Sequence, residues 1–167
     1  MASPVLKEGM SLTDTFKTTP RSTLKNLVQT LHDGQEGFKN ASENVKDSSL
    51  KEVFSRFSLQ RSKFAGELES ELLTLGEEDP QKEGGTLSGS LHRGWIDLKA
   101  AFTSSDNHAV LAEAERGEDV AKKAYADALE NELPMPVRKI VIRQAEEIQR
   151  AHDEVKALRD AAKASKA

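Results

Sequence analysis

Four long stretches of apolar residues at helical spacing, joined by two short breaks and one long one, leave this chain few folds to choose from. Leu24, Leu27, Val28, Leu31, Phe38 and Val45 recur three, four or seven apart, the stripe of an amphipathic helix. Pro20 opens that helix where its missing donor does no harm. The turn Lys46–Ser49, KDSS, separates it from a second stripe of Leu50, Val53, Phe54, Phe57, Phe64, Leu68, Leu72 and Leu75. Gly76 is suited to the C′ position. The stretch GEEDPQKEGGTLSGS then predicts a mobile crossover. A short helix follows on Leu91, Trp95, Leu98 and Phe102. Ser105 or Asp106 caps a third long helix on Val110, Leu111, Ala114, Ala121, Tyr125, Ala128 and Leu129. LPMP breaks it, and a fourth helix runs from about 136 to 162 on Val137, Ile140, Val141, Ile148, Ala151, Val155 and Leu158. Short turns force two antiparallel hairpins. The expected architecture is all-α, a four-helix bundle with one long crossover carrying a short extra helix. The first and fourth helices then run parallel, as do the second and third. Residues 1–20, rich in Ser, Thr and Pro, are expected to be a flexible extension, residues 21–162 the bundle, and 163–167 a tail.

Composition narrows the function. The chain has 167 residues, 37% hydrophobic and 31% charged, with 5% aromatic. That suits helices with one wet face and leaves little for a sheet. Its net charge of -4 comes from interspersed acids and bases, with no basic stripe and no interleaved aromatics. Nucleic-acid binding therefore has no footprint here. No cysteine is present, which excludes disulfides, thiolate metal sites and thiol nucleophiles. No apolar run approaches the ~20 residues of a membrane-spanning helix, and the polar faces are mixed in sign, unlike a membrane-surface helix. No apolar leader block opens the sequence. A cytoplasmic location is expected. No Ser/His/Asp spacing, phosphate loop or nucleotide fingerprint occurs.

Each stripe holds a polar residue where an apolar one belongs. At 100° per residue, Gln35 shares the face of Leu24, Leu31 and Phe38. Arg61 lies among Phe57, Phe64 and Leu68, and Glu118 among Ala114, Ala121 and Tyr125. On the fourth helix Gln144 is central and His152 is at the edge. Counted from the turns, Gln35, Arg61, Glu118 and His152 reach one level, with Gln144 a step away. The expectation is an interior polar layer in which an Arg61–Glu118 pair is satisfied by Gln35 and His152 and sets helix register.

Other residues have bland readings. His32 and Glu36 are expected as a solvated surface pair. In the run EAERGED, Glu113, Glu115 and Asp119 are expected to face outward or toward a neighbour. Arg93 and Trp95 belong to LHRGW, where a lone Trp packs the end of a bundle. His108 is a helix-start residue. Gly34 and Gly37, inside HDGQEGF, cost about 1 kcal/mol each relative to alanine in a helix. With Gly117 they make room for a close neighbour beside the polar layer.

HDGQEGF, RSKFAGEL, LHRGW, AERGED and AHDEVKALRD, in that order, together resemble a ferritin-like family of unknown function known mostly from bacteria. The resemblance spans roughly residues 21–160. It implies the ferritin-like four-helix fold and supplies no activity. Ferritin-like proteins that bind two metal ions use a Glu from each of two helices and Glu-x-x-His from the other two. Here the second helix offers Arg61 and Gln60-x-x-Lys63, and the fourth Gln149-x-x-His152. The favoured expectation is a non-catalytic bundle without cofactor, with an interaction or stress-associated role and a homodimer through a helix face. The alternative is iron or manganese held by Glu36, Glu115, Glu118 and His152.

Overall fold

A computed structural model describes residues 19–76, 95, 97–103 and 106–165. The expectations for the N-terminal extension before residue 19, the crossover from 77 to 94, Leu91, Arg93, Ser105 and the last two residues lie outside the described residues. Within them the chain is all-helical, with no strand. Helix α1 is Pro20–Asn44, α2 Ser48–Thr74, α3 Leu98–Thr103, α4 Asn107–Glu130 and α5 Met135–Ser165. No described helix is long and apolar enough to cross a membrane.

The helix ends follow local chemistry. Thr19 caps α1, accepting the Ser22 amide at 3.2 Å, and Pro20 sits in the first turn. Asp47 caps α2 by accepting the amides of Ser49 and Leu50, so α2 begins at Ser48, inside the expected turn. Gly76, at φ 92°, takes the left-handed conformation that ends α2. Asp106 caps α4 through the His108 amide. Helix α5 starts at Met135, one residue early. It runs to Ser165, so the expected tail from 163 is helical that far.

The Asp47 cap carries a pH signature. Hydrogen bonds from the Ser49 hydroxyl and the Leu50 amide hold its carboxyl below the usual carboxylate range. A depressed folded-state pKa adds stability above the unfolded value and loses it as pH falls through the folded one. Asp47→Ala is expected to cost about 1 kcal/mol at neutral pH. Asp47→Asn is expected to keep the cap and flatten the acid limb of a stability–pH curve, read by urea unfolding.

Helix α1 packs on α2, α4 on α5, and α1 also on α4. The apolar core is in two clusters. One gathers Leu24 and Leu31 from the start of α1, Phe64 and Leu72 from the end of α2, Tyr125 and Ala128 from the end of α4, and Val137 and Val141 from the start of α5. The other gathers Phe38 and Val45, Leu50 and Phe54, Val110 and Leu111, and Val155. Those partners make α1/α2 and α4/α5 antiparallel hairpins, with α1 parallel to α5 and α2 parallel to α4.

Candidate functional site

The two clusters are separated by a polar level. Along α2 the apolar sequence passes from Phe57 in one cluster to Phe64 in the other, and along α4 from Ala114 to Ala121. Arg61 and Glu118 stand between. Arg61 donates from both terminal nitrogens, to Glu118 Oε1 at 2.6 Å and Oε2 at 2.8 Å. Their side chains are 1% and 0% exposed. The pair is bidentate, the strongest geometry a guanidinium and a carboxylate have. Arg61 Nε donates to Gln60 Oε1 at 3.3 Å, and the guanidinium lies 5.4 Å from the Phe38 ring centroid. The guanidinium stem passes beside Gly34, where an added Cβ would meet Arg61 Cγ at 3.6 Å.

Gln35 is not part of this layer. It is half-buried, and its Oε1 lies 3.4 Å from His32 Nδ1. Its carbonyl accepts the Ser58 hydroxyl at 2.9 Å. The reason lies in how α1 is covered. The buried arc includes Thr23, Thr30, Gly34, Gly37 and Ala41 as well as the leucines. A stripe drawn from large apolar residues alone is centred too far round, and puts Gln35 in the middle when it belongs at the edge.

Gln144 is fully buried one turn away and makes a second cross-helix link. Its Oε1 accepts the Tyr125 hydroxyl at 2.7 Å, and its Nε2 donates to the Phe64 carbonyl at 3.3 Å. Burial pushes the Tyr125 phenol far above its usual range, so it acts only as a neutral donor.

His152 lies along the α4/α5 seam. Its Nε2 is 2.9 Å from Asp119 Oδ1 and 3.9 Å from Glu115 Oε1, and its Nδ1 is 3.2 Å from Asp153 Oδ1. Its hydrogen bond holds the Asp153 carboxyl below the usual range. Arg159 pairs with Glu115. His152 thus touches neither Arg61 nor Glu118 by hydrogen bond.

Two surface readings need correction. His32 is no solvated partner of Glu36. Its Nε2 is 2.8 Å from Glu69 of α2, tying α1 to α2 across the hairpin. No spacing rule flagged this, because Glu69 stands about two turns beyond the residue level with His32. In the acidic run, Glu113, Glu115 and Glu118 are all buried, and Asp119 alone is exposed. Glu113 Oε1 accepts the Asp97 amide at 3.2 Å, fastening the segment before α3 onto α4.

That segment delivers Trp95, 3% exposed, into the core. A Cβ added at Gly37 would lie 2.3 Å from the indole, and one at Gly117 2.4 Å. The ring is held between the bare backbones of α1 and α4, with Phe38 edge-on at 4.8 Å between centroids. Gly37 and Gly117 are therefore the two walls of an indole slot.

Of the four metal candidates, Glu118 gives both oxygens to Arg61, and Glu115 is engaged by Arg159. Glu36 is half-buried on α1. Among the described residues no group of three or more His, Asp or Glu side chains converges as a metal site.

An all-helical domain with an ion pair sealed between two apolar clusters is the class that the fold and the site define. Within that class the chain belongs to DUF2383, a domain of unknown function, whose model matches residues 20–131. No curated protein matches it.

Proposed function

We propose that this protein is a non-catalytic, ferritin-like four-helix bundle whose Arg61–Glu118 layer is structural, and that it works by association with other molecules. One observation carries the reading. The carboxylate best placed for a central metal site gives both oxygens to a guanidinium, at 2.6 and 2.8 Å, with the pair out of solvent. A buried cation at that position opposes a divalent cation beside it, since both need the same carboxylate. The residues present do not fit iron or manganese in the ferritin-like manner. The two antiparallel hairpins and the long connection between them support the ferritin-like assignment.

Elemental mass spectrometry tests this. The protein is purified without chelator and incubated aerobically with ferrous iron. The expected result is no stoichiometric iron or manganese in either the parent or Glu118→Ala. Stoichiometric metal that disappears in Glu118→Ala would overturn the structural reading.

A further inference from the structure

The four long helices meet along four seams, and three of these are locked. Short turns tie α1 to α2 and α4 to α5. The α1/α4 seam is pinned by Trp95, whose indole lies between Gly37 and Gly117. The fourth seam, α2/α5, has no such lock among the described residues, and its helices approach each other least closely. Its rim is spanned by side chains that reach solvent: Arg56 to Glu154 at 2.6 Å, Gln60 to Glu147 at 3.4 Å, and Arg143 to Glu67. Exposed pairs of this kind hold weakly and are screened by salt. Below the rim, Phe64 and Ile148 belong to one apolar cluster, and Gln144 Nε2 makes its hydrogen bond to the Phe64 carbonyl.

The rim connects directly to the charged layer. Gln60 donates from Nε2 to Glu147 and, through Oε1, accepts Arg61 Nε. Arg61 in turn reaches across the core to Glu118. Helices α2 and α4 are diagonal and do not pack on each other, so this pair spans the bundle from corner to corner. Any parting of α2 from α5 about the α1/α4 seam lengthens that diagonal and draws guanidinium from carboxylate. Both charges then regain water. A sealed ion pair gains little over its hydrated partners, so hydration offsets much of what the broken pair loses.

We propose that the bundle opens along α2/α5, with α1/α4 as the hinge line, and that the Arg61–Glu118 pair is the latch released into water when it does. Closed, the charges are paired and dry. Open, they are apart and hydrated, which makes the layer a two-state element. The rim pairs oppose the parting, so ionic strength tunes it. Parting along α1/α4 is opposed by the Trp95 indole, and along either hairpin seam by a turn. The device needs the layer to be the structural one proposed above. Metal content and opening are separate readouts, so a layer that holds metal and a structural layer that never opens give different results.

Proton exchange at the Arg61 guanidinium, followed by nuclear magnetic resonance on the full chain, is the first test. Protection of its Nε–H is expected to be roughly tenfold or more below that of the slowest core amides, which open only by global unfolding. Raising sodium chloride from about 20 mM to about 500 mM is expected to lower it further, several-fold. A thiol probe reports the same motion from the other helix. The chain has no cysteine, so a single introduced one reports alone. Ala151, 1% exposed, lies in angle between Gln144 and Glu147, on the α2 side of α5. Ala41, equally buried, stands one turn from Gly37, beside the hinge line. Ala151→Cys is expected to react with methyl methanethiosulfonate before Ala41→Cys, and Arg61→Met with Glu118→Leu is expected to erase the difference. Arg61 protection equal to that of the slowest amides would overturn the proposal. So would equal labelling at the two alanine positions, or exchange indifferent to salt.

Discussion

Glu118→Ala is expected to destabilise the fold by about 3–5 kcal/mol, a large share of the total stability of a domain this size. The variant leaves Arg61 charged and sealed in, with the Gln60 amide oxygen and the Phe38 ring as its remaining described partners. Burying a charge without its partner is among the costliest changes a core can suffer. Arg61→Met with Glu118→Leu is expected to behave differently. It removes both charges, fills similar volume and joins the two apolar clusters, so its stability should equal or exceed the parent's. Urea unfolding followed by far-ultraviolet circular dichroism measures both. A single variant that unfolds at the parent's midpoint would mean that water reaches Arg61 and the layer is not sealed.

The second large effect concerns Trp95. Gly37→Ala and Gly117→Ala each put a methyl group within about 2.5 Å of the ring, far inside contact distance, and both walls are helix backbone. Intrinsic propensity favours each change by about 1 kcal/mol. The prediction has the opposite sign. The double variant is expected to expel the indole and lose most of the ~3–5 kcal/mol expected for Trp→Ala in a core, less the helical gain. Trp95 is the one tryptophan of the chain, so its fluorescence reads the slot directly, with a red shift expected on expulsion. Gly34→Ala is the control, because its nearest neighbour at 3.6 Å is in ordinary contact. A double variant with unshifted emission would mean that the ring has another place to pack.

Helix ends were legible where a single side chain decides them. Pro20, Asp106 and Gly76 act through local geometry, and local geometry is written in adjacent residues. Arg61 and Glu118 were legible for a related reason. Each is a lone polar residue on an apolar stripe, and hairpin turns convert sequence distance into height. What resisted reading was anything set by the angle at which helices meet. Gln35 was misplaced because Thr30, Gly34 and Gly37 belong to the buried arc but do not count as apolar. Glu113 looked solvated because its partner, the Asp97 amide, lies on a connection whose path has no period. The glycines announced a close approach beside the layer. That Trp95 makes the approach depends on where the crossover lands, which no spacing encodes.

The division of the core into two apolar clusters with a charged pair between them also bears on the order of folding. Both hairpins are contiguous in sequence and close by short turns, so their internal contacts form at low entropic cost. Arg61 and Glu118 sit on different hairpins, 57 residues apart. Each charge must shed its water when the hairpins meet, before the pair is fully made. Dehydration of the layer thus falls on the docking step, where the long-range contacts are made. The same pair that marks the correct meeting of the hairpins also raises the barrier to it.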